Sequence, residues 1–200
     1  MSQYENFAYI YDELMEEIEY EKWLKFICSQ IEAYGLKEKS ICELGCGTGT
    51  MTHLLYEAGY DMIGIDLSHD MLMVAREKAL EEEADILYLQ QDMQAFELYG
   101  SVDTFIATCD SFNYIEADGL KKVFGLMERY LNPKGLFIFD LNTEFKFEKI
   151  YADKSFSELG EDFAYIWENQ YNKEKKVNEY FISFFVEDED GSYSRFDEYH

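Results

Sequence analysis

The sequence predicts an α/β protein, a doubly wound parallel sheet with an inserted or appended antiparallel meander. Three observations carry this. The apolar run Ile41 to Leu44 leads straight into Gly45-Cys46-Gly47-Thr48-Gly49, and an amphipathic helical pattern comes next. From 41 to 141 strand-like and helix-like stretches alternate, which is the grammar of a parallel sheet covered on both sides. After 142 the pattern changes to period two, broken by short polar turns, which is the grammar of antiparallel strands.

Residues 4–34 read as mostly helical, with one apolar stripe from Phe7 to Ile18 and a second from Trp23 to Ile31, closed by Gly35. The tyrosines here are denser than a packing helix requires, and one or two of them suit the cap of a pocket. Strand 41–45 is followed by helix 49–58, strand 61–66 by helix 69–82 with Ser68 as N-cap, and strand 86–91 by a short connection. Strand 102–109 is followed by helix 117–131, whose Leu120, Val123, Phe124, Met127 and Leu131 keep helical spacing. Asn132-Pro133-Lys134-Gly135 is a turn before strand 136–141, a continuously apolar run of the kind buried on both faces. Three strands, 163–171, 177–187 and 192–199, form the meander.

Composition excludes some functions. The net charge is −25, with 42 acidic against 17 basic residues. Such a field repels phosphate backbones and anionic lipid, so neither nucleic acid nor membrane is an expected partner. No apolar run reaches the roughly 18 residues of a membrane span, and the opening residues do not read as a signal peptide. Cys28, Cys42, Cys46 and Cys109 form no CxxC pair and read as reduced thiols, so the expected place is the cytoplasm and no metal set is expected.

The glycine loop carries the functional signal. A strand that becomes a helix through three alternating glycines lets a ligand lie against bare backbone. The helix start then offers unpaired N–H groups. A dinucleotide fingerprint would want glycine at 50, where Thr50 stands. The decision falls to acids downstream. Asp66 ends the second strand and can accept ribose hydroxyls in either NAD or S-adenosylmethionine. Asp92 ends the third and suits an adenine amine.

With those residues in place, Glu43-Leu44-Gly45-Cys46-Gly47-Thr48-Gly49, Asp66-Leu67-Ser68 and Asp92-Met93 resemble the successive cofactor motifs of class I S-adenosylmethionine-dependent methyltransferases. The opening Phe7 to Met15 is similar to that of small-molecule members, the broad group with glycine and amino-sugar N-methyltransferases. The resemblance spans residues 4 to about 141 and implies a Rossmann-like core binding S-adenosyl-L-methionine. It implies that Gly45, Cys46, Gly47 and Gly49 make room for the methionyl part and that Glu43 organises its amino group. Asp66 would hold the ribose, Leu67 and Met71 would sandwich the adenine, and Asp92 with the Met93 amide would read its edge. Cys109, Asp110 and Ser111 would line the sulfonium side, with Tyr4 and Tyr11 closing over the cofactor. Residues 1–40 then form a helical cap, 41–141 the cofactor core and 142–200 a meander lid and substrate region.

For the acceptor, methyl transfer needs alignment and dryness more than an acid or base. Asp110-Ser111-Phe112-Asn113-Tyr114 departs from the Asn-Pro-Pro-Tyr type, which points away from bases and glutamine side chains. Asn113 and Tyr114 are candidate substrate contacts. His200, sharing a face of the last strand with Phe196 and Glu198, is the candidate general base, whereas His53 reads as structural or exposed. The closing helix and hairpin of the family pattern do not occur before His200: either the sequence is a piece of a longer chain, or the edge beside 136–141 calls for cover from the meander, residues 142–160 or a second subunit in a homodimer. Besides a methyltransferase acting on nitrogen or oxygen of a small molecule, two readings stay open. One is a catalytically silent cofactor-binding module acting through a partner, the other an NAD-dependent oxidoreductase.

Overall fold

The computed structural model describes residues 3–16, 18–36, 39–160, 163–188 and 190–200, of which only the backbone is described for 3–7 and 9. The described chain divides into two compact units, Met1–Leu141 and Asn142–His200.

The first unit opens with two helices, Gln3–Leu14 (α1) and Tyr20–Tyr34 (α2). Gly35 stops α2 in the left-handed conformation and hands its N–H to the Glu32 carbonyl, as helix ends commonly do. Strands Ser40–Leu44 (β1), Asp61–Asp66 (β2), Leu87–Gln90 (β3), Val102–Ala107 (β4) and Leu131–Phe139 (β5) form one parallel sheet in the order β3-β2-β1-β4-β5. Helices Thr50–Glu57 (α3), His69–Glu81 (α4) and Ala117–Tyr130 (α5) connect them. Ser68 caps α4 by accepting the Met71 N–H, as its position before the apolar run predicted.

Alternation along the strands separates two apolar layers. Ile41 and Ile106 pack with Ile27, Ile31, Met51 and Leu55 of α2 and α3. Cys42, Leu44 and Phe105 pack with Val123 and Met127 of α5 on the other side. Every residue of β4 is buried, as a central parallel strand requires. Each large apolar side chain withdrawn from water stabilises the fold by about 1.5–3 kcal/mol.

The order of the strands creates a place for a ligand. From β1 the chain moves outward through β2 and β3, then crosses back to place β4 on the other flank of β1. At that reversal the connections leave in opposite directions, and a crevice opens beyond the carboxyl ends of β1 and β4.

Two expectations need correction. The fifth strand starts at Leu131, so Asn132-Pro133-Lys134-Gly135 is an irregularity within it, with Lys134 at φ 70 and a register shift opposite Val102/Thr104. Proline is tolerated there because β5 lies at the sheet edge, where an absent N–H breaks no ladder. The meander of the second unit has four strands, not three: Ser155–Leu159 (β6), Phe163–Asn172 (β7), Val177–Glu187 (β8) and Tyr193–Tyr199 (β9), all antiparallel in that order. β6 escapes a reading by periodicity because four of its five residues are exposed, so it lacks a buried face. Its strand character comes from pairing with β7. The face shared by Phe163, Phe184 and Phe196 is buried, and the rings of Phe184 and Phe196 stack 5.0 Å apart.

Candidate active site

The glycine loop lies at the switch point. Gly45, Gly47 and Gly49 all have positive φ, at 73°, 54° and 77°, a backbone that glycine adopts without a Cβ penalty. The three lie against different neighbours. A Cβ on Gly45 would stand 2.7 Å from Ser111 Oγ, and one on Gly49 would meet Tyr88 and Ala75. Only at Gly47 is the space open, with Tyr11 Cε1 3.9 Å away.

Beside the loop is a cavity of about 40 Å³, enough for roughly three waters or the polar end of a ligand. Tyr11, Tyr20, Glu43, Gly45, Cys46, Gly47, Thr48, Thr50, Met51, Thr108, Cys109 and Ser111 line it. Among the described residues, no lysine or arginine stands in its walls.

Glu43 dominates the electrostatics. Its side chain faces α3 from β1 and is 1% exposed. The Thr108 hydroxyl donates to its carboxylate at 2.8 Å, and the Thr52 hydroxyl donates to the other oxygen. Burial pushes its carboxyl up to about 7, against the lowering effect of the two hydroxyls. Burial likewise raises the phenols of Tyr11 and Tyr20 above the ordinary range. It pushes the Cys109 thiol up to about 11, and that thiol points at Tyr20 Oη, 4.0 Å away. The walls are therefore neutral or anionic, which suits a cation.

Asp66 joins the neighbouring strand end to the loop. Its carboxylate accepts the Gly47 N–H at 2.8 Å and the Ser68 N–H at 2.8 Å. Burial raises its pKa against these bonds. Leu67 next to it is 68% exposed and presents an apolar surface to the open side. Met71 is half-buried on the first turn of α4. Met93 reaches the loop, its Cε 3.2 Å from where a Gly45 Cβ would stand. Asp92 accepts the Gln94 N–H at 2.8 Å.

After β4 the chain turns sharply. Cys109 and Asp110 are consecutive non-glycine residues at φ 54°. Such backbone costs on the order of 1–2 kcal/mol per residue and persists where surroundings hold it. The Asp110 N–H donates to both carboxylate oxygens of Asp140, at 3.1 and 3.0 Å, and the Ser111 hydroxyl donates to the Thr108 carbonyl at 2.7 Å. Asn113 and Tyr114 are exposed on the 3-10 turn Ser111–Tyr114, whose Phe112 is buried.

Of the residues read from the sequence, Tyr11, Glu43, Gly45, Cys46, Gly47, Cys109 and Ser111 meet at one cavity, and Asp66 and Met93 touch the same loop. Tyr4 lies outside the described side chains. His200 belongs to the second unit, where it pairs with Tyr180 through both backbone groups and sets Nε2 3.7 Å from Glu198. His53 Nε2 lies against the Glu82 carboxylate at the C-terminal cap of α4. Sequence reasoning missed Thr52 and Thr108, which hold Glu43, and Asp140, which holds the strained turn.

A glycine loop at a switch point, with acids at the neighbouring strand ends, defines a nucleotide-cofactor-binding α/β protein. Comparison narrows the class. A methyltransferase domain model matches residues 41–135. A Geobacillus sp. protein named as a methyltransferase is 36% identical over 199 residues, 98% of this chain and 81% of its own length. The crystal structure of an S-adenosylmethionine-dependent methyltransferase from Clostridium acetobutylicum superposes with a TM-score of 0.87 at 33% identity, covering 100% of this chain and 80% of that one. The sugar N-methyltransferase KedS8 from Streptoalloteichus shares the fold at 18% identity, with a TM-score of 0.78 and coverage of 96% of this chain and 76% of its own. The chain belongs to the S-adenosylmethionine-dependent methyltransferases, and S-adenosyl-L-methionine is its cofactor.

Proposed function

We propose that this enzyme methylates a nitrogen or oxygen of a small molecule and that the cavity at the glycine loop receives the methionyl end of the cofactor. One observation carries the placement: a pocket against bare backbone, walled by Glu43, tyrosines and hydroxyls, without a basic side chain among the described residues. The residues fit a cationic group. The pyrophosphate of NAD would instead lie against a buried carboxylate, which disfavours the oxidoreductase reading.

The roles rest on chemistry. The cofactor supplies a methyl group on a sulfonium, a carbon already activated for in-line displacement. Gly45, Cys46 and Gly47 give backbone access at the cavity, and Glu43 faces the cofactor's ammonium group. Gly49, packed against Tyr88 and Ala75, shapes the turn instead of lining the cavity, contrary to the expectation from sequence. Asp66 takes the ribose hydroxyls on lone pairs left beside its two N–H bonds. Leu67 and Met71 flank the adenine, while Asp92 and the Met93 amide read its edge. Tyr11 covers the cofactor, and its ring stabilises positive charge through its face. Cys109 and Asp110 border the transferring group.

In the first unit Asn113 and Tyr114 contact substrate; in the second, taken by itself, His200 is the group proposed to accept a proton where the nucleophile carries one. Residues 1–40 serve as cap, 41–141 as cofactor core and 142–200 as the substrate region. The four free cysteines support a cytoplasmic setting, and no described helix is long and apolar enough to cross a membrane.

Calorimetric titration with S-adenosylhomocysteine tests the placement when repeated on Gly47→Val, whose side chain would fill the open space. Incubating the enzyme with labelled S-adenosylmethionine and metabolite fractions then tests the acceptor class. Label captured by protein or nucleic acid rather than by a small molecule would refute it.

A further inference from the structure

We propose that Asp12 is a positioning residue that pins α1 onto the glycine loop and thereby sets how long a bound cofactor stays. The inference rests on the loop being the cofactor site. Three elements meet at this one carboxylate. The Thr48 hydroxyl donates to Oδ1 at 2.6 Å and the Thr50 hydroxyl donates to the same oxygen at 3.3 Å. Lys78 Nζ of α4 lies 2.5 Å from Oδ2 and also donates to Thr50 Oγ1 at 3.3 Å.

The bonds differ in weight. The Asp12 and Lys78 side chains are 35% and 30% exposed, so solvent screens much of their attraction. The Thr48 hydroxyl is the stronger tie. It is charge-assisted, and Thr48 is 1% exposed, so removing Asp12 leaves a buried hydroxyl without its carboxylate acceptor. Tyr11, the preceding residue, lines the cavity and faces Gly47. Anchoring Asp12 therefore fixes where Tyr11 stands without Asp12 touching the cofactor. Release of the cofactor requires α1 to lift, which breaks these bonds.

The test measures S-adenosylhomocysteine binding to the immobilised full chain by surface plasmon resonance, with amide exchange of residues 8–14 read in parallel. Asp12→Ala and Thr48→Val should each raise the dissociation rate about tenfold or more, change association less than threefold, and loosen α1. The double variant should release no faster than Asp12→Ala, because the bond that Thr48→Val removes is already lost in Asp12→Ala. Asp12→Asn, which keeps an acceptor for Thr48, should recover most of the residence time. Wild-type release should quicken with added salt, while that of Lys78→Met should not. Dissociation rates within twofold of wild type, or single effects that multiply in the double variant, would overturn the proposal. Should Asp12→Ala fail to fold, Thr48→Val and Lys78→Met decide the matter by the same criteria. A wild-type chain that binds no S-adenosylhomocysteine would overturn the cofactor placement as well, whereas normal binding with unaltered variants removes only the role of Asp12.

Discussion

Asp66 accepts the Gly47 N–H at 2.8 Å, and through that bond the end of β2 dictates the path of the loop after β1. The same carboxylate takes the Ser68 N–H on its other oxygen, so both oxygens face donors. Asp66→Asn keeps the shape but turns an NH₂ toward one of those N–H groups. Losing one charge-assisted bond costs about 1.5–3 kcal/mol, and each 1.4 kcal/mol is tenfold in affinity. S-adenosylhomocysteine affinity should fall roughly tenfold to a hundredfold. Asp61→Asn, at the exposed opposite end of β2, serves as control. Equal affinities for the two variants by calorimetry would contradict the role.

Glu43 predicts a pH dependence whose sign is fixed. Its carboxyl is held at about 7 in the folded chain against 4.5 as a free side chain, chiefly by burial. The folded state thus binds the proton more tightly than the unfolded one. Its contribution to stability is present below about pH 4.5 and is lost as the pH rises through about 7. At one unit per 1.36 kcal/mol the full effect is on the order of 3 kcal/mol. Glu43→Gln carries no such proton, so the melting temperature of wild type relative to E43Q should fall by several degrees between pH 5 and 7.5. Binding a cation beside the carboxylate favours its charged form. Titrations of S-adenosylhomocysteine near pH 6.5, in buffers of different ionisation enthalpy, should therefore show proton release in wild type and less in E43Q. A constant difference in melting temperature across that range would refute the assignment.

Gly45 and Gly35 separate two costs that a glycine can hide. Both have positive φ, 73° and 68°, but a Cβ on Gly35 meets nothing within 4 Å while one on Gly45 meets Ser111 Oγ at 2.7 Å. Ser111 is fixed by its own bond to Thr108 and cannot swing aside freely. Gly35→Ala should lose about 1–2 kcal/mol from backbone conformation alone. Gly45→Ala should lose that plus roughly 1–3 kcal/mol of overpacking, together with most cofactor affinity. Urea denaturation of both variants gives the comparison, and equal losses would show that the Ser111 contact carries no weight.

The glycine loop and Asp66 were legible because each stands for a local requirement. Positive φ selects glycine, and a carboxylate at a strand end next to a glycine turn has few other uses. The parallel sheet was legible for a similar reason, since the apolar runs of β1, β2 and β4 carry their own signal. The partners of Glu43 were not. Thr52 lies nine positions away on a helix and Thr108 lies 65 away, and only the register of β1 with β4 brings the latter close. β6 was missed because an exposed edge strand has little hydrophobic pattern, and the start of β5 was masked by Pro133 and Gly135, whose ordinary use is to end a strand. Asp12 was visible as part of a motif but not as an anchor, because its meaning depends on three residues from two other elements.

His200 carries the prediction about the acceptor. Its imidazole lies below its ordinary pKa because of partial burial, and burial raises Glu198 beside it. The ring is therefore neutral near pH 7 and able to accept a proton. A nucleophile that must lose a proton before or during transfer would use it, and general-base help is worth roughly 10²–10⁴ in rate. Once an acceptor is identified, His200→Gln should lower kcat on that scale while S-adenosylhomocysteine affinity holds. The wild-type profile should rise with pH through a pKa below that of free imidazole, then level off, and the variant should lack that limb. An amine that arrives neutral needs no base. For such an acceptor kcat of His200→Gln would stay within about twofold of wild type, and the catalytic role assigned to His200 would fall.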